Sequence, residues 1–120
     1  MTKLTNAISA IAFFFAAHAA LACEYPAKVS VADGSTATKE EMIASQTAVK
    51  KYVAEMEAYL ACIVEEEKAD VASMEKLEPE VEQQRTEMLD KKYNAAVEDM
   101  ERVAADFNAE VQAYKARDNS

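Results

Sequence analysis

Apolar residues recur along this chain at steps of three and four over two long stretches. Met42, Val49, Tyr52, Met56, Tyr59 and Ile63 form the first stripe, and Ile43, Val53, Leu60 and Val64 widen it. This spacing places side chains on one face of an α-helix. Beyond Ile63 the stripe thins and shifts phase, continuing through Val71, Met74 and Leu77 as a stutter would produce. Thr38-Lys39-Glu40-Glu41 reads as a capping box, with Thr38 accepting from a backbone N–H and Glu41 reaching back. The pattern predicts a first helix over 38–77.

Glu78-Pro79 is the strong breaker after that point. Proline disfavours the helical conformation of the residue before it but suits the first position of a new helix. Glu80 and Glu82 then place negative charge where the helix dipole favours it. Leu89, Tyr93, Ala96, Met100, Val103, Phe107 and Tyr114, with Val111 close by, form the second stripe and predict a helix over 79–116. Two arms of similar length either side of one proline predict an all-α fold: an antiparallel, coiled-coil-like hairpin of two helices over 38–117. In such a hairpin position i faces roughly position 156 − i. Met56 then meets Met100, Val49 meets Phe107, Ile63 meets Tyr93 and Met42 meets Tyr114. The same register sets Lys91 and Lys92 beside Glu65 and Glu66, Lys50 beside Asp106, Arg102 beside Glu55, and Lys115 beside Glu41. Two competing arrangements are a single kinked rod and a three-helix fold with a second break near Glu65 to Asp70.

Residues 23–37 contain Pro26, Val29, Val31 and an Asp33-Gly34 turn signal, and read as an extended segment ahead of the helices. Before them, residues 1–22 have the form of an export signal. Lys3 supplies a positive start, Ala7 to Ala17 form an apolar run, and Ala20-Leu21-Ala22 is a small-x-small cleavage pattern, with a second candidate cleavage after Ala19. The run is shorter than the ~20 residues a membrane-spanning helix needs.

Composition then narrows the chemistry. Removing residues 1–22 takes away Lys3, leaving 12 of the 13 basic residues against 22 acidic ones, a net charge of −10. Such a surface argues against nucleic acid and anionic lipid as partners. The cut also removes His18, the one histidine. A mature chain without imidazole lacks the usual proton shuttle, Ser-His or Cys-His nucleophile pairs and imidazole metal ligands. Glu65-Glu66-Glu67 does not repair this, because consecutive helical residues diverge by about 100° and cannot converge on one ion. Glu55 with Tyr59 and Glu98 with Arg102 read as surface pairs at helical spacing. No catalytic, cofactor-binding or metal-binding residue is assigned, and no cofactor is expected.

The two cysteines, Cys23 and Cys62, are the candidate site residues. An even number in an exported chain favours a disulfide. The alternative is acylation of Cys23 as the first residue of a lipoprotein. The lipobox match is imperfect, because Leu21 stands two residues before the cysteine and Ala20 holds the expected leucine position. The disulfide is also a geometric constraint. Cys62 lies about 36 Å along the first helix from Thr38, and the extended segment can span at most ~50 Å. The segment must therefore run back along the first helix, bringing Tyr25 and Pro26 against residues 55–62. A redox role is disfavoured by the separation of the cysteines and by the three glutamates that follow Cys62.

The Cys-Glu-Tyr-Pro start, with Ala-Tyr-Leu-Ala-Cys at 58–62 and Tyr-Asn-Ala-Ala-Val-Glu-Asp-Met-Glu at 93–101, resembles small exported helical proteins of Gram-negative bacteria. The resemblance implies an envelope location and carries no active residues. Together these readings lead to the expectation of a non-enzymatic, periplasmic protein acting through helix-mediated contacts with an unidentified protein partner or a second copy of itself. A lipid-anchored spacer is the alternative, and a thiol-redox protein a remote one.

Overall fold

The computed structural model describes residues 22–118, and the expected leader lies outside the described residues apart from Ala22. Two helices pack against each other, α1 over Lys39–Ala72 and α2 over Pro79–Asp118, and no strand occurs among the described residues. An extended strap, residues 22–32, precedes them and leads through a turn at 34–36 into α1. The all-α hairpin expected from the two stripes is therefore present, and neither the kinked rod nor the three-helix alternative is formed.

Local chemistry explains the helix starts. Thr38 is the N-cap of α1: its hydroxyl accepts from the Glu41 N–H at 3.2 Å, while a Glu41 carboxylate oxygen accepts from the Thr38 N–H at 2.7 Å. Pro79 opens α2, with Glu80 and Glu82 in the first turn and Lys115 and Arg117 in the last, all in accord with the dipole.

The end of α1 differs from expectation. The helix stops at Ala72 rather than at residue 77, and α2 runs on to Asp118 rather than to 116. The last turn of α1 carries no basic residue, and Glu65, Glu66, Glu67 and Asp70 crowd its C-terminal, electronegative end. Ser73 closes it, donating through its N–H to Ala69 and Asp70 and through its hydroxyl to the Asp70 carbonyl at 2.7 Å. Reversing the chain also needs several non-helical residues, and 73–78 supply them.

The core lies midway along the hairpin. Tyr52, Met56, Leu60, Ile63 and Ala96 form one buried cluster, against which Cys23, Val29, Tyr59, Leu89, Val97, Met100 and Val103 pack. Met56 is fully buried at 0% exposure. Met56 and Met100 belong to the same cluster, as the register expected, but Tyr93 lies beside Leu60 and Val64 while Ile63 lies beside Met88, Leu89 and Lys92 instead of Tyr93. The expected cross-helix ion pairs do not form. Arg102 instead binds Asp99 of its own helix, and Glu55 takes Lys51 of its own. Tyr25 of the strap binds the same Asp99 that Arg102 binds, and Glu24 to Ala27 line a surface pocket with Glu55. Lys50 with Asp106, Lys91 with Glu65 and Lys115 with Glu41 form no ion pair either, Glu65 taking Lys68 of its own helix; a shared axial level alone does not set two side chains on facing flanks, because each residue advances by about 100°. Among the described residues, the ion pairs that cross between helices are those of Arg85 with Glu67 and Asp70.

Candidate functional site

The two sequence-assigned residues meet. Cys23 and Cys62 are joined in a disulfide with their Cα atoms 5.7 Å apart, across 39 residues of sequence. The strap runs antiparallel to α1, as the distance argument required. Tyr25 packs edge-to-face on Tyr59 with ring centroids 4.9 Å apart, and Pro26 lies beside Ala58 and Tyr59.

Several residues that pin the strap were not singled out from sequence. The Tyr25 hydroxyl donates to an Asp99 carboxylate oxygen at 2.6 Å, and Arg102 donates to the other oxygen at 2.6 Å. These two donors hold the Asp99 carboxyl below the usual carboxylate range. Desolvation, and then the Asp99 carboxylate as hydrogen-bond acceptor, push the Tyr25 hydroxyl well above its ordinary value. Further down, the Ala32 N–H donates to the Ser45 hydroxyl at 3.0 Å. Ser45 is the buried polar residue in the α1 stripe, and its place between Met42 and Val49 was the available signal. At the base, the Gly34 N–H donates to a Glu110 carboxylate oxygen at 2.7 Å, and Arg117 donates to the Ala37 carbonyl at 2.7 Å.

Gly34 has a negative φ, so its role is not the conformational freedom that the turn signal suggests. A Cβ there would overlap the backbone carbonyl of Glu110 and crowd the Tyr114 amide. The chain's single glycine is what allows the turn to lie directly on α2.

The Glu66 carboxylate approaches the disulfide, and one oxygen accepts from the Cys23 N–H at 3.4 Å. Its oxygen and the two sulfurs all lie within 4.8 Å of one another. Bonded to each other, the sulfurs are not thiolates and do not act as metal ligands. A carboxylate at this distance also disfavours thiolate formation, so the cluster is built as a fastening.

Among the described residues the strap does not extend past Cys62, and the groove between the helices is open at the hairpin tip. A cavity of about 430 Å³ lies there, lined by Val64, Val71, Ala72, Leu77 and Leu89, with Glu67, Lys68, Glu82, Arg85 and Thr86 around them. Arg85 spans one wall, donating to both Glu67 carboxylate oxygens at 2.8 and 2.9 Å and to Asp70 at 3.3 Å. Leu77, read from sequence as part of α1, instead closes this cavity from the connection. Ile43, Met88 and Tyr93 are 54%, 60% and 40% exposed.

The arrangement defines a strapped two-helix hairpin with an apolar opening at its tip. Comparison with protein-family models, with curated proteins and with solved structures finds no match.

Proposed function

We propose that this chain is a non-enzymatic exported protein of the cell envelope, placed in the periplasm, that acts through helix-mediated contact with another protein as an adaptor or assembly factor. The observation that carries this reading is the one-sided cover of the hairpin. The strap fills the flank bearing Tyr52, Tyr59 and Cys62, while Ile43, Met88 and Tyr93 stand in solvent on surfaces it does not reach. Exposed apolar positions such as Met88 and Tyr93, next to residues that line the apolar groove at the tip, are the form a protein-docking surface takes.

Export is supported by the leader pattern in residues 1–22 and by a disulfide, a bond that persists in oxidising compartments. No helix among the described residues is long and apolar enough to cross a membrane. The lipid-anchored alternative requires the Cys23 sulfur that the disulfide uses. A thiol-redox role requires a thiolate-stabilising neighbourhood, and Glu66 is the opposite of one.

The test has two readouts in the native host. Intact mass of the recovered protein is expected to show a chain beginning at Cys23, two hydrogens short and without acyl groups. A photocrosslinker at Met88 is expected to give one discrete protein adduct. A retained leader overturns the export reading, and the absence of any adduct overturns the contact reading.

A further inference from the structure

We infer that the cavity at the hairpin tip is a docking site for a cationic amphipathic segment of a partner protein, one that inserts an aliphatic side chain between the helices and sets basic residues on the rim. The inference rests on the contact reading above and names the chemistry of its partner.

Two independent features of the tip point to this occupant. The first is apolar and concave. Val64, Val71, Leu77 and Leu89 surround about 430 Å³ of open space, enough to receive a leucine- or phenylalanine-sized side chain with room for its backbone. The second is the charge around that opening. Between Glu65 and Arg85 the chain carries eight acidic and three basic residues, a net charge of −5, half the mature chain's −10 concentrated in one short segment. All three cations are already engaged: Lys68 with Glu65, Lys76 with Glu78, and Arg85 with Glu67 and Asp70. Glu75, Glu80 and Glu82 have no ion-pair partner among the described residues, and Glu82 lines the cavity itself. The C-terminal end of α1, with its partial negative charge, opens at the same place.

Charge decides between occupants. A second copy of this chain would bring another tip of −5 against the first, a like-charge approach that opposes association. An acidic or neutral apolar segment would fill the cavity without relieving the rim. A segment with Lys or Arg flanking an aliphatic anchor satisfies both features at once, with the anchor supplying affinity and the rim supplying rate and selectivity.

The probe is a short synthetic Lys/Leu peptide with leucines at helical spacing, titrated by calorimetry into the oxidised mature chain. Two controls keep the length: a Lys/Ser peptide without the leucines, and a Glu/Leu peptide without the cations. The Lys/Leu peptide is expected to bind, and both controls to bind more weakly by about tenfold or more. Glu80→Gln with Glu82→Gln, two exposed substitutions that leave the fold intact by circular dichroism, is expected to weaken binding about three- to tenfold. Added salt is expected to weaken it further. Absence of Lys/Leu binding overturns the inference. So does equal binding of either control, or a double variant that binds unchanged. Concentration-dependent self-association that competes with the peptide assigns the cavity to a second copy and also overturns it. Failure here, alongside a discrete adduct from Met88 in the native host, removes only the partner chemistry. A retained leader removes only export.

Discussion

Reducing the Cys23–Cys62 bond is the perturbation whose effect follows most directly from the geometry. Closing a loop of 39 residues removes conformational freedom from the unfolded chain worth about 4 kcal/mol in the chain-entropy treatment. The same bond also decides whether the strap stays down. Ordering its ten residues from Cys23 to Ala32 costs about 10 kcal/mol, taking the low end of the backbone range. Against this, the Ala32–Ser45 hydrogen bond contributes ~1 kcal/mol and the Tyr25–Tyr59 ring pair ~1 kcal/mol. The Tyr25–Asp99 hydrogen bond, to a charged acceptor, contributes about 1.5 to 3 kcal/mol, and partial burial of Val29, Pro26 and the Tyr25 ring adds about 3 to 4 kcal/mol. The shortfall of about 1 to 3.5 kcal/mol lies within what the disulfide supplies. Reduction is therefore expected to lower unfolding free energy by about 4 kcal/mol, read from urea transitions at 222 nm with and without dithiothreitol. In native-state hydrogen exchange the Ala32 amide, bonded to Ser45, should lose protection, while the Gly34 amide, bonded to Glu110, keeps it. A reduced protein within about 1 kcal/mol of the oxidised one, with the Ala32 amide still protected, would refute the reasoning. It would mean that noncovalent contacts alone hold the strap.

Two further outcomes test other parts of the same fastening. Gly34→Ala places a methyl group on the Glu110 backbone, so the turn must lift from α2, and a loss of about 2 to 3 kcal/mol is expected in a thermal or urea melt. A melt unchanged from the parent would show that the turn does not lie as closely on α2 as described. The Tyr25–Asp99 contact makes stability depend on pH from both sides. The Asp99 carboxyl is held low in the folded chain, so its contribution is present above the ordinary carboxylate range and is lost as pH falls through the depressed value. The Tyr25 hydroxyl is held high, so its contribution is full below its ordinary value of about 10 and is lost as pH rises beyond it. Tyr25→Phe should flatten the alkaline limb of a stability–pH profile, and Asp99→Asn should flatten the acid limb. An unchanged profile in both variants contradicts the contact.

Much of this fold is written locally in the chain. The Thr38–Glu41 capping box, Pro79 at the start of α2 and the stripe from Met42 to Ile63 each specify their element through interactions between near neighbours. The disulfide was legible from cysteine parity, and the path of the strap from a distance that left little choice. What was not legible depends on direction around a helix or on pieces distant in sequence. The stripe continuing through Val71, Met74 and Leu77 fits a helix as well as it fits a helix end followed by a loop that folds Leu77 over the tip. Only the acidic, cation-free last turn distinguishes them. Arg102 and Glu55 share an axial level, but Arg102 is drawn to Asp99, which the strap's Tyr25 also binds. Asp99, Glu110 and Arg117 look like surface charges until the strap arrives. Gly34 carried a turn signal whose physical cause was a helix 76 residues away.

Placing these contacts along the hairpin shows that its two ends are held by different means. At the base, the Gly34 turn, the Arg117–Ala37 hydrogen bond and the capping box tie strap, α1 and α2 together. At mid-length the disulfide and Tyr25 fasten the strap over the core cluster. Past Cys62 no described residue of the strap crosses the groove, and the tip is held by Arg85 and by aliphatic contacts around a space they leave open. Elements with few buried contacts and exposed hydrogen bonds lie at the low-stability end of a fold, where binding surfaces are drawn from. Replacing the Glu67–Arg85 pair with well-packed apolar residues would be compatible with stability on general grounds. It would close the opening and remove charge from its wall. The sequence instead keeps an acidic, incompletely filled tip above a tightly fastened base, and the proposed contact with another protein rests on that contrast.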